Sequence, residues 1–146
     1  MFSSHSVIFD VDVPRLIKIP RNLCERHLFV KGAFESVWMI FGKSIRDEIY
    51  VEELILLKKS LVSRYFFRID PIEWMENILD RQKKGLSYIG MAHSHLSRTI
   101  KPSPLDIRFM MECPGEVWLI VSIPLRKITA WTWSRGDIIN IKVKCI

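Results

Sequence analysis

No apolar run in this 146-residue chain approaches the roughly 18 residues that a membrane-spanning helix requires, so no helical span is expected. The amino-terminal stretch MFSSHSVIFDVDVPRL has no basic lead-in and carries Asp10 and Asp12 inside its apolar part, which argues against a secretory signal. A cytoplasmic location is therefore expected. Cysteine is sparse: Cys24, Cys113 and Cys145 are odd in number and widely spaced, with no CxxC pair. That pattern is unlike a disulfide framework, and reduced, mostly buried thiols are expected. Internal repeats, low-complexity tracts and Gly/Ser/Pro-rich linkers are also missing, so residues 1–146 read as one domain.

What is present is the composition of an ordinary globule, 49% hydrophobic and 26% charged. Lysine and arginine outnumber acidic residues 22 to 16, and the net charge of +6 could steer nucleic acid or an acidic protein toward the surface. The basic residues fall in short scattered pairs, Lys58-Lys59, Lys83-Lys84 and Arg126-Lys127, the usual look of a solvated face. Trp131 and Trp133, two apart on a candidate strand, could stack on bases. Burial against a helix is the better reading for them, because large aromatics dominate cores.

Periodicity divides the chain into alternating element types. Residues 7–11 suggest a short strand, and residues 20–33 carry Leu23, His27, Leu28 and Val30 at helical spacing. An apolar run at 36–41, closed by Gly42, reads as a buried strand, followed by strand candidates at 49–57 and 65–69. Asp70-Pro71 supplies an N-cap and an N1 proline for a helix over 71–84 that Gly85 terminates. Residues 86–92 form a strand leading into His93-Ser94-His95, and Ser103-Pro104-Leu105-Asp106 opens a helix running to about Glu112. Strands at 117–123, 127–133 and 138–143 complete an α/β or α+β layer fold, with the last turn at Gly136-Asp137.

In extended backbone, residues two apart face the same side, so His93 and His95 can aim both imidazoles at one point while Ser94 faces away. Taken alone, such a pair is also compatible with two ordinary histidines at a strand edge. Asp106, returned by the following loop and first helical turn, would complete a His, His, carboxylate set with a fourth position open, the donor set of catalytic zinc. Ser103 has a plain structural reading as a helix cap, and its hydroxyl can accept a backbone N–H while donating its own hydrogen.

The spacing His93-Ser94-His95, seven residues, Ser103, two residues, Asp106 resembles the H-S-H-x7-S-x2-D signature of the JAMM (MPN+) metalloproteases. The similarity covers residues 19–146 and includes Gly90 upstream of the histidines. The segment Glu35-Ser36-Val37-Trp38-Met39-Ile40-Phe41-Gly42 is similar to the family's E-x-x-G-x-L-x-G stretch, with Trp38 and Ile40 in place of the usual small residue and leucine. Glu48, Glu52 and Glu53 lack those flanks. Leu96 stands where the family commonly has proline, and Ala92 where it often has an aromatic. Both departures bear on the shape of the substrate groove.

The resemblance implies an α/β fold with a mixed central β-sheet flanked by about three helices, the MPN architecture related to cytidine deaminases. It further implies one zinc per chain on His93, His95 and Asp106, with Glu35 as general base and Ser103 as a hydrogen-bond donor to the developing oxyanion. The implied substrate is an isopeptide or peptide bond after the C-terminal tail of a ubiquitin-like or sulfur-carrier protein. Such a tail could bind extended beside a sheet edge. A non-catalytic MPN scaffold binding a protein partner is the alternative, disfavoured by the joint presence of all four motif residues. A nucleic-acid-associated protein is the more remote one.

Overall fold

The computed structural model describes residues 13–32, 35–59, 61–62 and 67–146, so the strand expected at 7–11 lies outside the described residues. Nine strands and three helical elements occur among the described residues. Strand β1 (Leu16–Ile19) precedes α1, a turn of α-helix (Arg21–Leu23) that widens into a π-helical turn (Cys24–Leu28). The helix expected at 20–33 is thus shorter, ending where Phe29 leaves helical geometry and closes the turn by a bond to the Cys24 carbonyl. The antiparallel pair β2 (Val37–Ile45) and β3 (Glu48–Leu56) follows, then a small hairpin β4 (Leu61–Val62) and β5 (Phe67–Arg68). Helix α2 is Pro71–Lys83, β6 is Ser87–His95, and α3 is Pro104–Glu112. The chain ends in the meander β7 (Val117–Ser122), β8 (Lys127–Ser134) and β9 (Asp137–Cys145).

The expected central sheet of mixed direction closes on itself, in the order β1-β3-β2-β6-β7-β8-β9. Closure depends on β1, four residues that pair in parallel with both β3 and β9. Among the described residues the only other parallel contact is β6 with β7, bridged by α3 as a crossover of this kind requires. A ring has few free edges. Among the described residues, β1 covers only Glu48, Ile49 and Tyr50 of β3, and the rest of that flank is a limited exception.

Closure gives the molecule two apolar cores. Ile17, Ile19, Ile40, Val51, Ala92, Leu119, Val121 and Ala130 fill the ring interior, and Cys24 and Leu28 of α1 join the same cluster. On the outer face Met39, Phe41, Met91 and Trp118 pack beneath α2 and α3, joined by Trp74, Phe109, Met110, Trp131 and Trp133. Trp131 and Trp133 are therefore committed to packing, and the Trp131 indole N–H donates to Thr129 Oγ1 at 2.8 Å. Strands β2 and β6 bury residues on both faces, which explains why their sequences read as continuous apolar runs instead of alternating ones.

Local chemistry sets the boundaries. The Asp70 side chain accepts the N–H groups of Ile72 and Glu73 at 3.0 and 2.9 Å, capping α2, and Gly85 takes a left-handed φ of 78° after its end. Arg135 and Gly136 both have positive φ, which suits the two-residue turn joining β8 to β9. A Cβ on Gly90 would collide with the Val117 carbonyl, so glycine is required where β6 meets β7 two residues before Ala92 and the histidines. Reduced cysteines were expected, and the structure corrects this for two of the three. Cys24 and Cys145 form a disulfide with Cα atoms 6.7 Å apart, because β1 runs beside β9 and α1 folds back over the end of that pair. Cys113 remains a thiol. Among the described residues no helix is long and apolar enough to cross a membrane.

Candidate metal centre

Strand β6 carries His93 and His95 at its C-terminal end, the two rings 4.9 Å apart and mutually perpendicular. Both are buried, at 2% and 5% exposure, because β2, β7 and the returning loop enclose this end of the ring. The loop over residues 96–103 is held by side chains on the meander: Ser122 Oγ donates to the Ser97 carbonyl at 2.8 Å, and Thr129 Oγ1 donates to the Ile100 carbonyl. That anchoring delivers Ser103-Pro104 to the start of α3.

The helix start is a reciprocal capping box. Ser103 Oγ accepts the Asp106 N–H at 3.1 Å, while Asp106 Oδ2 accepts the Ser103 N–H at 2.8 Å. The box fixes the Asp106 carboxylate, fully buried, against both imidazoles: Oδ1 lies 2.8 Å from His93 Nδ1 and Oδ2 lies 3.3 Å from His95 Nε2. Ligand-type atoms of His93, His95 and Asp106 all fall within 4.8 Å of one another. Glu35, in the segment just before β2, places Oε1 3.2 Å from His93 Nε2. The rival glutamates are engaged elsewhere: Glu48 with Lys18 and Arg15, Glu52 with Lys43, and Glu53 with Arg81.

The protonation of the cluster follows from its contacts. Burial alone would depress the His93 pKa, but hydrogen bonds and charge attraction from Asp106 and Glu35 raise it to about 9. For Asp106 burial works upward, and the bonds from His93 and His95 and from the Ser103 backbone hold the carboxylate well below its ordinary range. The Glu35 carboxyl is also lowered: burial raises it, and the His93 hydrogen bond and the two nearby imidazoles outweigh that. Without metal, the centre is a buried imidazolium clasped by two carboxylates.

Three features were not legible from motif spacing. The first is Ser94. Its Oγ accepts the Ser36 N–H at 2.8 Å, and its own N–H donates to the Ser36 carbonyl at 3.0 Å, so the residue between the histidines ties down the backbone beside Glu35. That partner is 58 positions away in the chain. The second is the Thr99 carbonyl, 3.2 Å from His95 Nδ1, which as a pure acceptor requires the hydrogen on Nδ1 and leaves Nε2 to face the cluster. The third is Arg108, which with Glu35, His93, His95, Thr99 and Ser103 lines a cleft of about 550 Å³ over the centre.

Two histidines at a strand end, an aspartate from the next helix's first turn and a glutamate from a neighbouring strand's approach, set on a mixed sheet with flanking helices, define a JAB/MPN-type domain. Residues 31–134 match the family described as prokaryotic homologs of the JAB domain, and the chain belongs to that family. It is similar to a desampylase from Pyrococcus furiosus, 27% identical over 113 residues that span 77% of this chain and 76% of that protein. In fold it is similar to the solution structure of a protein from Desulfitobacterium hafniense. There the TM-score is 0.76 at 22% identity, over 89% of this chain and 92% of the other.

Proposed function

We propose that this chain is a zinc-dependent isopeptidase or peptidase that cleaves after the C-terminal tail of a ubiquitin-like or sulfur-carrier protein. The observation that carries the reading is the convergence of His93, His95 and the buried Asp106, with Glu35 beside them, where Glu35 and both histidines line one cleft. The donor set fits zinc. Zinc bonds of about 2.0–2.2 Å hold donors roughly 3–4 Å apart, so ligand atoms already within 4.8 Å need only a small contraction. The Thr99 carbonyl orients one imidazole by taking its Nδ1 hydrogen, as hydrogen-bond partners of zinc-binding histidines do. When bound, zinc supplies Lewis acidity, lowering the pKa of water to about 7 and polarising a carbonyl.

The remaining chemistry belongs to the chain. Glu35, held ionised, accepts a proton from the attacking water and passes it to the departing amine. Ser103 keeps its hydroxyl hydrogen while Oγ accepts the Asp106 N–H, so it can donate to the substrate oxygen as negative charge develops there. Pro102, Pro104 and Leu105 form an apolar wall that limits water around the scissile bond. The desampylase relative points to the same class of activity.

The test is cleavage of a ubiquitin-like protein bearing a C-terminal extension by the zinc-loaded chain, with Glu35→Gln in parallel. Loss of a general base removes about 10²–10⁴-fold in rate, and Glu35→Gln should do so with zinc retained. Full activity in that variant would show that another group takes the proton.

A further inference from the structure

The cleft above the centre has a charge asymmetry that the proposed hydrolysis does not use. Its acidic lining residue is Glu35, held against His93, and its basic one is Arg108, exposed on α3 two residues beyond Asp106. Arg108 shares a helix face with Pro104 and Leu105, one turn earlier, so its guanidinium borders the apolar wall of the cleft. Among the described residues it has no ion-pair or hydrogen-bond partner, whereas Arg81 and Arg126 each contact a glutamate. The surrounding segment adds to the imbalance: residues 96–111 contain Arg98, Lys101 and Arg108, and their acidic residue is the buried Asp106.

We infer that Arg108 is a specificity-determining residue that anchors a carboxylate of the substrate beside the scissile bond. This rests on the hydrolase reading of the same cleft. A guanidinium offers a planar fork of donors matched to a carboxylate. A cation without a partner at the mouth of an apolar-walled cleft gives up little to make that pair. A volume of about 550 Å³ accommodates a few residues and not a folded partner, so the anchored group lies close to the bond that is cut. Two sources supply the same chemistry: the free α-carboxylate of a short leaving peptide or amino acid, and an acidic side chain next to the cleaved bond.

The experiment is binding of fluorescein-labelled tripeptides by anisotropy to the zinc-loaded Glu35→Gln protein, with and without Arg108→Gln. The probes are Gly-Gly-Ala as free acid, Gly-Gly-Ala as amide, and Gly-Gly-Asp as amide. The free acid or the Asp-amide should bind about tenfold tighter than the Ala-amide, the worth of one charge-assisted hydrogen-bonded contact. Arg108→Gln should erase that preference and leave Ala-amide binding unchanged, and Arg108→Lys should restore part of it. Preference for the free acid identifies the α-carboxylate as the source; preference for the Asp-amide identifies the side chain. Equal binding of all three probes, no binding of any, or a preference that persists in Arg108→Gln overturns the inference. The two claims fail separately: wild-type cleavage without carboxylate preference sinks this one alone, and an Arg108-dependent preference in a chain that cleaves nothing sinks only the hydrolase reading.

Discussion

Replacing Asp106 by asparagine is nearly isosteric, yet it removes the charge on which the metal-free centre is built. The carboxylate is wholly buried, and it meets the Ser103 N–H, His93 Nδ1 and His95 Nε2 at 2.8, 2.8 and 3.3 Å. Asparagine has one carbonyl oxygen. Kept on the Ser103 side, it preserves the helix cap and turns its amide hydrogens toward His93, which then keeps Glu35 as its one carboxylate neighbour or is forced neutral. Breaking a buried pair costs about 3–5 kcal/mol, and the retained cap favours the lower end. For a domain of this size, about 3 kcal/mol corresponds to a fall in Tm of roughly 10 °C. The assay is thermal unfolding of metal-stripped wild type and Asp106→Asn at pH 7 and pH 10.

The sign of the pH dependence is fixed by the direction of the shift. His93 has its pKa raised from 6.5 to about 9 in the folded state, so its pairing stabilises fully below 6.5 and is lost as pH rises through 9. The gap between wild type and variant should therefore be large at pH 7 and shrink at pH 10. Equal Tm values at pH 7, or a gap that does not shrink, would refute the ion-pair description of the centre.

Ser94→Ala removes the acceptor of the Ser36 N–H and loosens the segment that holds Glu35. Turnover should fall about ten- to a hundredfold, as misplacing a catalytic group does, while zinc content stays unchanged; an unaltered rate would show that Glu35 is positioned by other contacts. Alkylation of the unfolded, unreduced protein should add one adduct, on Cys113, and three after reduction, read by intact mass. Three adducts before reduction would contradict the Cys24–Cys145 disulfide.

Helices α2 and α3 were legible almost to the residue because their boundaries are local chemistry: Asp70-Pro71 and Ser103-Pro104 each combine a cap with an N1 proline. The clustering of His93, His95 and Asp106 was legible for a related reason, since strand alternation and a capping box fix where these side chains point. Barrel closure was not legible. Strand β1 is four residues flanked by Pro20 and Pro14-Arg15, and its partners on β9 lie about as far away in the chain as possible. The disulfide follows from that long-range pairing, and the bond from Ser36 to Ser94 continues the separate β2–β6 ladder; no spacing rule encodes either. The helix expected at 20–33 stops early because α1 turns to cover the end of the ring with Cys24 and Leu28, and tertiary packing overrides its periodicity.

The central claim is that His93, His95 and Asp106 hold one zinc ion. Metal content by inductively coupled plasma mass spectrometry, after removal of loosely bound ions and beside a His95→Ala control, tests it most directly. The account predicts about one zinc per chain, lost in the control. Wild-type protein that retains no zinc under conditions where it is folded would contradict it.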